Sequence, residues 1–515
     1  MAHSAILRPT RGTSRSLREL APLLGASHHG PDAAITGVAL NTSSVVAGDI
    51  FVALQGLNSH GIDHLEAALE AGALAVLTDK RGASTLSSSS EIPLLVCEDP
   101  RSLLGTLASA VYGTAAEGGP RIFSVTGTNG KTSTVFLLEA MMRAMGWRTA
   151  LSTTALRQVN GVEYSSTLTT PEAPDIHAML ALARESDVLG VALEVSAQAL
   201  NKNRLDHVRS TVAGFTNLSH DHFEDFGTME NYLEAKAALF TKDMTDRAVV
   251  CCDTPWGVEL ASRMSIPVVT LAGSMDISAQ WHYEITQADH ERSTWNMVGP
   301  AGQVLSLSAP ILGEHMVANA ALAALMLISS GVEIDTLKAA MGGGTEGVPV
   351  YIPGRVEKVS QGSGPQVYVD AARSADAYEH TLETLRRLTS GAVVMVCGTS
   401  GNRDATKRPI MGKVAATLAD VVIVTDDDPR KEDPAVIRAG LLEGARSVVG
   451  AKVHEIADPS EAIRFAVSLA GPGDTVVWCG PGSQSYRDIQ GVKVPYSARD
   501  QARSALREAG WTASR

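Results

Sequence analysis

The stretch Val125–Met142, VTGTNGKTSTVFLLEAMM, decides the fold class. The apolar run Arg121–Thr126 enters it as a β-strand. Gly127-Thr128-Asn129-Gly130-Lys131-Thr132 then turns the chain, and good helix formers follow until Gly146 can end the helix. Strand, glycine-rich loop and helix in that order form a phosphate cradle. Loop N–H groups and the partial positive charge of the helix N-terminus attract phosphate oxygens. In such a loop Lys131 would reach the β- and γ-phosphates, and Thr132 would ligate Mg²⁺. The strict pattern G-x-x-x-x-G-K-[ST] is not met, because Val125 stands at the first glycine position.

The rest of the chain fits an α/β frame around this unit. Strand-like runs QVYVDA, AVVMVCG, DVVIVTDD and DTVVWCG alternate with the helical patterns AYEHTLETLRRL, RPIMGKVAATLAD and SEAIRFAVSLAG. Strands alternating with helices imply right-handed βαβ units, a parallel sheet, and ligands beyond the carboxyl ends of its strands. Two glycine-rich stretches, YGTAAEGGP at 112–120 and GGGTEGVPVYIPGR, read as hinges. They divide the chain into three expected α/β domains: 1–117, a central phosphate-loop domain at 118–346, and a Rossmann-like parallel-sheet domain at 347–515.

Composition excludes several classes. The 515 residues exceed what one core organises, and 44% hydrophobic with 4% aromatic residues suits a globular α/β enzyme. No apolar stretch reaches the ~18 residues of a membrane span, and the N-terminus lacks an apolar signal core. With 43 basic and 56 acidic residues the net charge is −13, which disfavours nucleic acid and membrane surfaces as partners. Cys97, Cys251, Cys252, Cys397 and Cys479 form no C-x-x-C motif and read as reduced, buried thiols of a cytoplasmic protein.

The loop, together with TLTTPEAPDIHAML, ALEVSAQALNKNRLDHV, VAGFTNLSHDHFEDFGTMENYLEAKAALF, GNRDATKRPIMGKVA and VTDDDPRKEDP, resembles the Mur ligase family. The likeness is to the members that add the third amino acid of the peptidoglycan stem. It implies an ATP- and Mg²⁺-dependent ligase with UDP-N-acetylmuramoyl-L-alanyl-D-glutamate and a free diamino acid as substrates. A carboxylate is a poor electrophile. ATP therefore phosphorylates it first, and the amine attacks the acyl phosphate. A monomer is expected.

The resemblance distributes roles along the chain. Gly127, Thr128, Asn129, Gly130, Lys131, Thr132 and Ser133 would hold the phosphates. Asn319, Arg355 and Asp370 would touch adenine, phosphate and ribose. Glu194 and His222 would bind Mg²⁺, as would Thr132, and Lys236 would be carbamylated to supply oxygen ligands to a second metal. Thr169, Thr170, Ser196 and Arg204 would grip the sugar-peptide, while Thr42, Ser43 and His60 are candidates for UDP. Arg403, Asp427, Asp428, Arg430, Gly480 and Gln484 would form the amino-acid pocket.

Several positions depart from the family pattern. Ser196-Ala197-Gln198-Ala199-Leu200 stands for S-S-H-A-L, Ala371-Ala372-Arg373-Ser374-Ala375 for Y-A-H-T-P, and Met316 for the first of two asparagines. Gly480-Pro481-Gly482-Ser483-Gln484 stands for G-K-G-H-E. A non-catalytic nucleotide-binding relative is the alternative these raise; intact Lys131, Glu194, His222 and Lys236 favour the ligase. Asp427-Asp428-Pro429-Arg430 is a hybrid. Its arginine suits the distal carboxylate of meso-diaminopimelate, whereas Asp428 and the loss of a glutamate at Gln484 suit the lone ammonium of L-lysine. A basic diamino acid such as L-lysine is favoured, with meso-diaminopimelate the alternative. Arg430 is then expected to be neutralised by a neighbouring aspartate or turned elsewhere.

Overall fold

The computed structural model describes residues 6–11, 13–56, 59–86, 91–115, 118–164, 168–221, 223–341 and 347–514. The two hinges fall partly outside these residues, and His222 lies outside them. Among the described residues three α/β domains each surround a large sheet.

The first domain has a five-stranded sheet in the spatial order Ser27–His29, Leu94–Cys97, Ala75–Asp79, Asp49–Ala53, Gly37–Ala39. It is parallel except for the first strand. The central sheet has eleven strands. Its middle is parallel, running Thr149–Ser152, Gly190–Glu194, Arg121–Thr126, Val212–Phe215, Ala248–Cys251, Val268–Ala272. Antiparallel hairpins extend it at both edges. The strand Arg121–Thr126 lies between two later strands, so its carboxyl end is a topological switch point, where open α/β sheets bind ligands.

The third sheet runs Glu357–Lys358, Gln366–Asp370, Thr475–Cys479, Val393–Cys397, Val421–Val424, Lys452–Glu455. All but the first strand are parallel. The period of two sorts its apolar residues by face. Val393, Met395 and Cys397 join one core with Tyr378 and Leu382, and Val394 and Val396 join another with Ile463 and Leu506. Both faces are therefore covered, as an all-apolar parallel strand requires. The expected helices occupy Ala375–Leu388, Lys407–Leu418 and Pro459–Leu469. No helix is long and apolar enough to cross a membrane among the described residues, and all five cysteines are buried and unpaired.

Candidate active site

The phosphate loop leaves the central sheet where the sequence places it. Val125 is a fully buried strand residue opposite Glu194, which explains why no glycine is needed there. Gly127 has φ +148, and a Cβ there would meet Thr216 Oγ1 at 1.9 Å. Gly130 has φ +86 and caps the helix Lys131–Ala144 without any side-chain cap, so the first-turn N–H groups stay open to an anion. Thr128 N donates to Asn217 O at 2.9 Å and Asn129 N to Asn217 Oδ1 at 2.9 Å, tying the loop to the next strand's end. Ser133 is buried behind the loop.

Two lysines converge on one carbonyl. Lys131 Nζ donates to Gly127 O at 3.0 Å and Thr128 O at 2.8 Å, and Lys236 Nζ donates to the same Gly127 O at 2.8 Å. Lys236 comes from the helix Met229–Ala237 and also sits 4.2 Å from the centre of the Tyr232 ring. Burial pushes both amines below their ordinary range, and for Lys236, whose fall is the larger, the charge of Lys131 adds to burial. Both effects favour the uncharged form of Lys236.

Glu194, at the end of its strand and 3% exposed, gathers the neighbouring oxygens. Its Oε2 accepts from Thr132 Oγ1 at 3.0 Å and from Thr154 N at 2.9 Å. Thr170 Oγ1 donates to the Glu194 carbonyl at 2.9 Å and accepts from Ser196 N at 2.9 Å. Thr169 Oγ1 accepts from Thr154 at 3.0 Å. Arg204 donates to Thr170 O at 3.1 Å, and its other terminal nitrogen lies 2.8 Å from Glu172. Thr132, Glu194, Thr169, Thr170, Ser196 and Arg204 are therefore one connected surface. Thr132 hydroxyl and Glu194 carboxylate oxygens are hard donors that fit Mg²⁺.

The third domain closes over this surface. Arg355 donates to Thr132 Oγ1 at 3.1 Å, Asn129 Nδ2 to Asp376 Oδ2 at 2.9 Å, and Lys407 Nζ lies 3.4 Å from Asp221. Asp370 accepts from Val356 N at 2.7 Å and Ala372 N at 2.8 Å, so its carboxylate shapes the loops around it. Asn319 is 5% exposed against Gly130, and its Nδ2 donates to the Met316 sulfur at 3.8 Å. That helix, Glu314–Ser329, begins at an interdomain cavity of about 360 Å³ lined by Tyr283, Leu312, His315, His380, Glu383 and Arg387.

The acidic cluster lies at the carboxyl end of the third sheet. Asp427 and Asp428 follow Val421–Val424 and are each 5% exposed at the side chain. Their partner is Arg373, in the loop after Gln366–Asp370. Its Nε lies 3.0 Å from Asp427 Oδ2, and its Nη2 lies 3.5 Å from Asp428 Oδ2 and donates to Gln484 Oε1 at 2.5 Å. Gly480, at φ +126, lets its backbone pass beside Asp427 Oδ2. Arg430 is half-buried at φ +53, anchored by its backbone to Asp488 and Gln490. No ion pair between its guanidinium and a carboxylate is formed among the described residues, although the charges of Asp428 and Asp488 act on it. Burial and the exposed Arg403 nearby lower its pKa.

The first-domain candidates separate. Thr42 and Ser43 form a 3₁₀ turn at the surface. His60 does not join them. It is 6% exposed, its Nδ1 accepts from Ile62 N at 3.0 Å and its Nε2 lies 3.3 Å from Asp79, so its ring caps a turn inside the domain. Sequence reasoning did not single out Thr154, Asn217, Asp376 or the bridging role of Arg373. No local spacing marks them, since each acquires its partner across 15 to 247 residues of chain.

A nucleotide cradle at a switch point, closed by a second parallel-sheet domain, defines a class of multidomain ligase. The chain matches the Mur ligase middle domain over residues 125–327 and the Mur ligase, glutamate ligase domain over residues 354–482. It is 46% identical over 508 residues to a UDP-N-acetylmuramyl-tripeptide synthetase of Leifsonia xyli subsp. xyli, covering 98% of each chain. It is 38% identical to a UDP-N-acetylmuramoyl-L-alanyl-D-glutamate–2,6-diaminopimelate ligase of Streptomyces coelicolor, covering 97% of this chain and 98% of the relative. A solved diaminopimelate ligase of the same designation superimposes with a TM-score of 0.61 at 28% identity, covering 93% of this chain and 96% of that one. The chain belongs to the Mur ligase family, whose members are ATP-dependent ligases.

Proposed function

We propose that this protein joins a basic diamino acid of the lysine type to UDP-N-acetylmuramoyl-L-alanyl-D-glutamate, at the cost of ATP. The observation that carries the reading is the convergence of Lys131, Lys236, Thr132 and Glu194 on a loop that Arg355 closes from the next domain. ATP supplies the phosphoryl group that turns the acceptor carboxylate into an electrophile, with Mg²⁺ offsetting the phosphate charge. Lys131, released from its loop carbonyls, neutralises phosphate oxygens. Thr132 and Glu194 would hold one metal. Lys236, as a neutral amine, can add CO₂ at Nζ with loss of a proton, which gives two oxygens for another metal. Arg355 and the loop amides orient the nucleotide, and closure of the third domain keeps water from the activated carboxyl.

The division of labour follows the chain: residues 1–117 bind the UDP moiety through the Thr42–Ser43 turn, 118–346 bind ATP, and 347–515 bind the amino acid. Asp427 and Asp428 already hold a guanidinium, which supports a pocket for cations and hence a lysine-type side chain. Meso-diaminopimelate is the second reading. It is favoured by the Arg430 guanidinium, which has no carboxylate partner among the described residues, and by the designation of the Streptomyces relative. Phosphate release from ATP, measured with the UDP-dipeptide and each of L-lysine, L-ornithine and meso-diaminopimelate, tests the proposal. Release dependent on one basic diamino acid is expected; no release with any of them would sink the ligase reading.

A further inference from the structure

The acids of the amino-acid pocket are not bare. Arg373 comes from a loop that no selector residue shares, yet its guanidinium touches Asp427, Asp428 and Gln484, which come from two other loops. We infer that Arg373 is a specificity-determining residue that sets how strongly this pocket prefers an ammonium to a zwitterion.

The charges in contact give the reason. Two carboxylates, each 5% exposed, face the Arg373 guanidinium, while Arg487 acts on Asp427 and Arg430 on Asp428 from farther off. Among the described residues Arg373 is the cation in ion-pair contact with both acids. Asp427 keeps an uncommitted acceptor: Arg373 Nε and Asp427 Oδ2 are 3.0 Å apart but lack hydrogen-bond alignment, and among the described residues neither atom has a hydrogen-bond partner. An ionised carboxylate accepts up to about four hydrogen bonds, so an ammonium can share it with Arg373. Burial and Asp428 push the Asp427 carboxyl up, while Arg373 and, less strongly, Arg487 pull it down. The side chain of Arg373 is 27% exposed, so part of it stays open beside the two buried acids.

Arg373 also acts on the competing substrate. A distal carboxylate entering beside an ammonium would find two guanidiniums, Arg373 and Arg430, with Arg430 feeling the charge of Arg373. Removing Arg373 leaves two acids against Arg430, which strengthens attraction for a lone ammonium and weakens it for a carboxylate. Buried charge pairs of this kind carry enough coupling to change relative affinity by about tenfold or more.

This inference rests on the ligase reading, and the experiment separates the two. Wild type, Arg373→Gln, Arg373→His and Arg373→Lys are compared at about pH 8, where histidine is mostly neutral. Two measurements are made with L-lysine and meso-diaminopimelate: kcat/KM from phosphate release, and Kd from calorimetry. Arg373→Gln and Arg373→His should raise the lysine-to-diaminopimelate ratio at least tenfold in both, while Arg373→Lys stays within about threefold of wild type. Having two neutral variants guards against one failing to fold. An unchanged ratio, a ratio that falls, or a parallel loss for both amino acids would overturn the role. A binding ratio that moves as expected in a protein that releases no phosphate would instead overturn the ligase reading alone.

Discussion

At Lys236 the chain spends a buried amine where an ordinary core would place leucine. Side-chain exposure is 1%, its Nζ has a carbonyl acceptor and an aromatic face, and no carboxylate pairs with it among the described residues. Burial and Lys131 both favour the uncharged form, which is the nucleophile for CO₂. Labelled bicarbonate should therefore give a carbamate resonance in wild type that vanishes in Lys236→Ala, with phosphate release falling about 100-fold or more. Persistence of the resonance in the variant would place the carbamate elsewhere. Spacing alone marks Lys131 as a loop lysine, whereas only the family resemblance singles out Lys236. The difference is physical: a loop motif is local, but Lys236 finds its acceptor on a carbonyl 109 residues away.

The elements were the most legible level, because apolar period and glycine placement act over a few residues. The strands Val393–Cys397 and Val421–Val424 and the helices between them fall where the alternation puts them. What the pattern could not give is which strand ends meet. Gln366–Asp370, Thr475–Cys479 and Val421–Val424 bring Arg373, Gln484 and Asp427 together only because Thr475–Cys479, the last in sequence, inserts between Gln366–Asp370 and Val393–Cys397, the neighbour of Val421–Val424. The phosphate loop offers a sharp test at this scale. At Gly130 a Cβ would lie 2.3 Å from Asn319 Oδ1, on a backbone with φ +86. Gly130→Ala should thus distort the loop and displace Asn319 together. It is expected to raise KM for ATP at least tenfold and to cost about 1–2 kcal/mol of stability from the left-handed backbone alone. Calorimetric ATP binding and urea unfolding read the two effects separately, and an unchanged ATP affinity would show that the loop tolerates the Cβ.

The first and central domains share one apolar core, whereas the third domain reaches the phosphate loop through polar contacts. Asn129–Asp376 and Arg355–Thr132 join the third domain directly to the phosphate loop. Asp376→Ala should raise KM for ATP several-fold with little effect on thermal stability, since one exposed-side hydrogen bond contributes about 1 kcal/mol. An unaltered KM would mean that closure does not depend on this contact. At the first domain's junction, His177 Nε2 donates to the Asp206 carbonyl at 3.0 Å, so Nδ1 of the neutral ring accepts from Thr114 Oγ1 at 2.5 Å, while burial lowers its pKa from 6.5 to about 4. The unfolded chain then binds a proton that the folded one refuses between those two values, so stability is present above about pH 6.5 and is lost as pH falls toward 4. The full loss is roughly 3 kcal/mol, at about 1.4 kcal/mol for each pH unit separating the two values. His177→Gln should be less stable than wild type near pH 7.5, because it repairs the two hydrogen bonds imperfectly, yet lose less on acidification. The gap in urea midpoint between the two proteins should therefore narrow steadily from about pH 6.5 to 4. A gap that stays constant would mean that His177 is as readily protonated in the folded junction as in the unfolded chain, and that the first domain docks without a buried neutral imidazole.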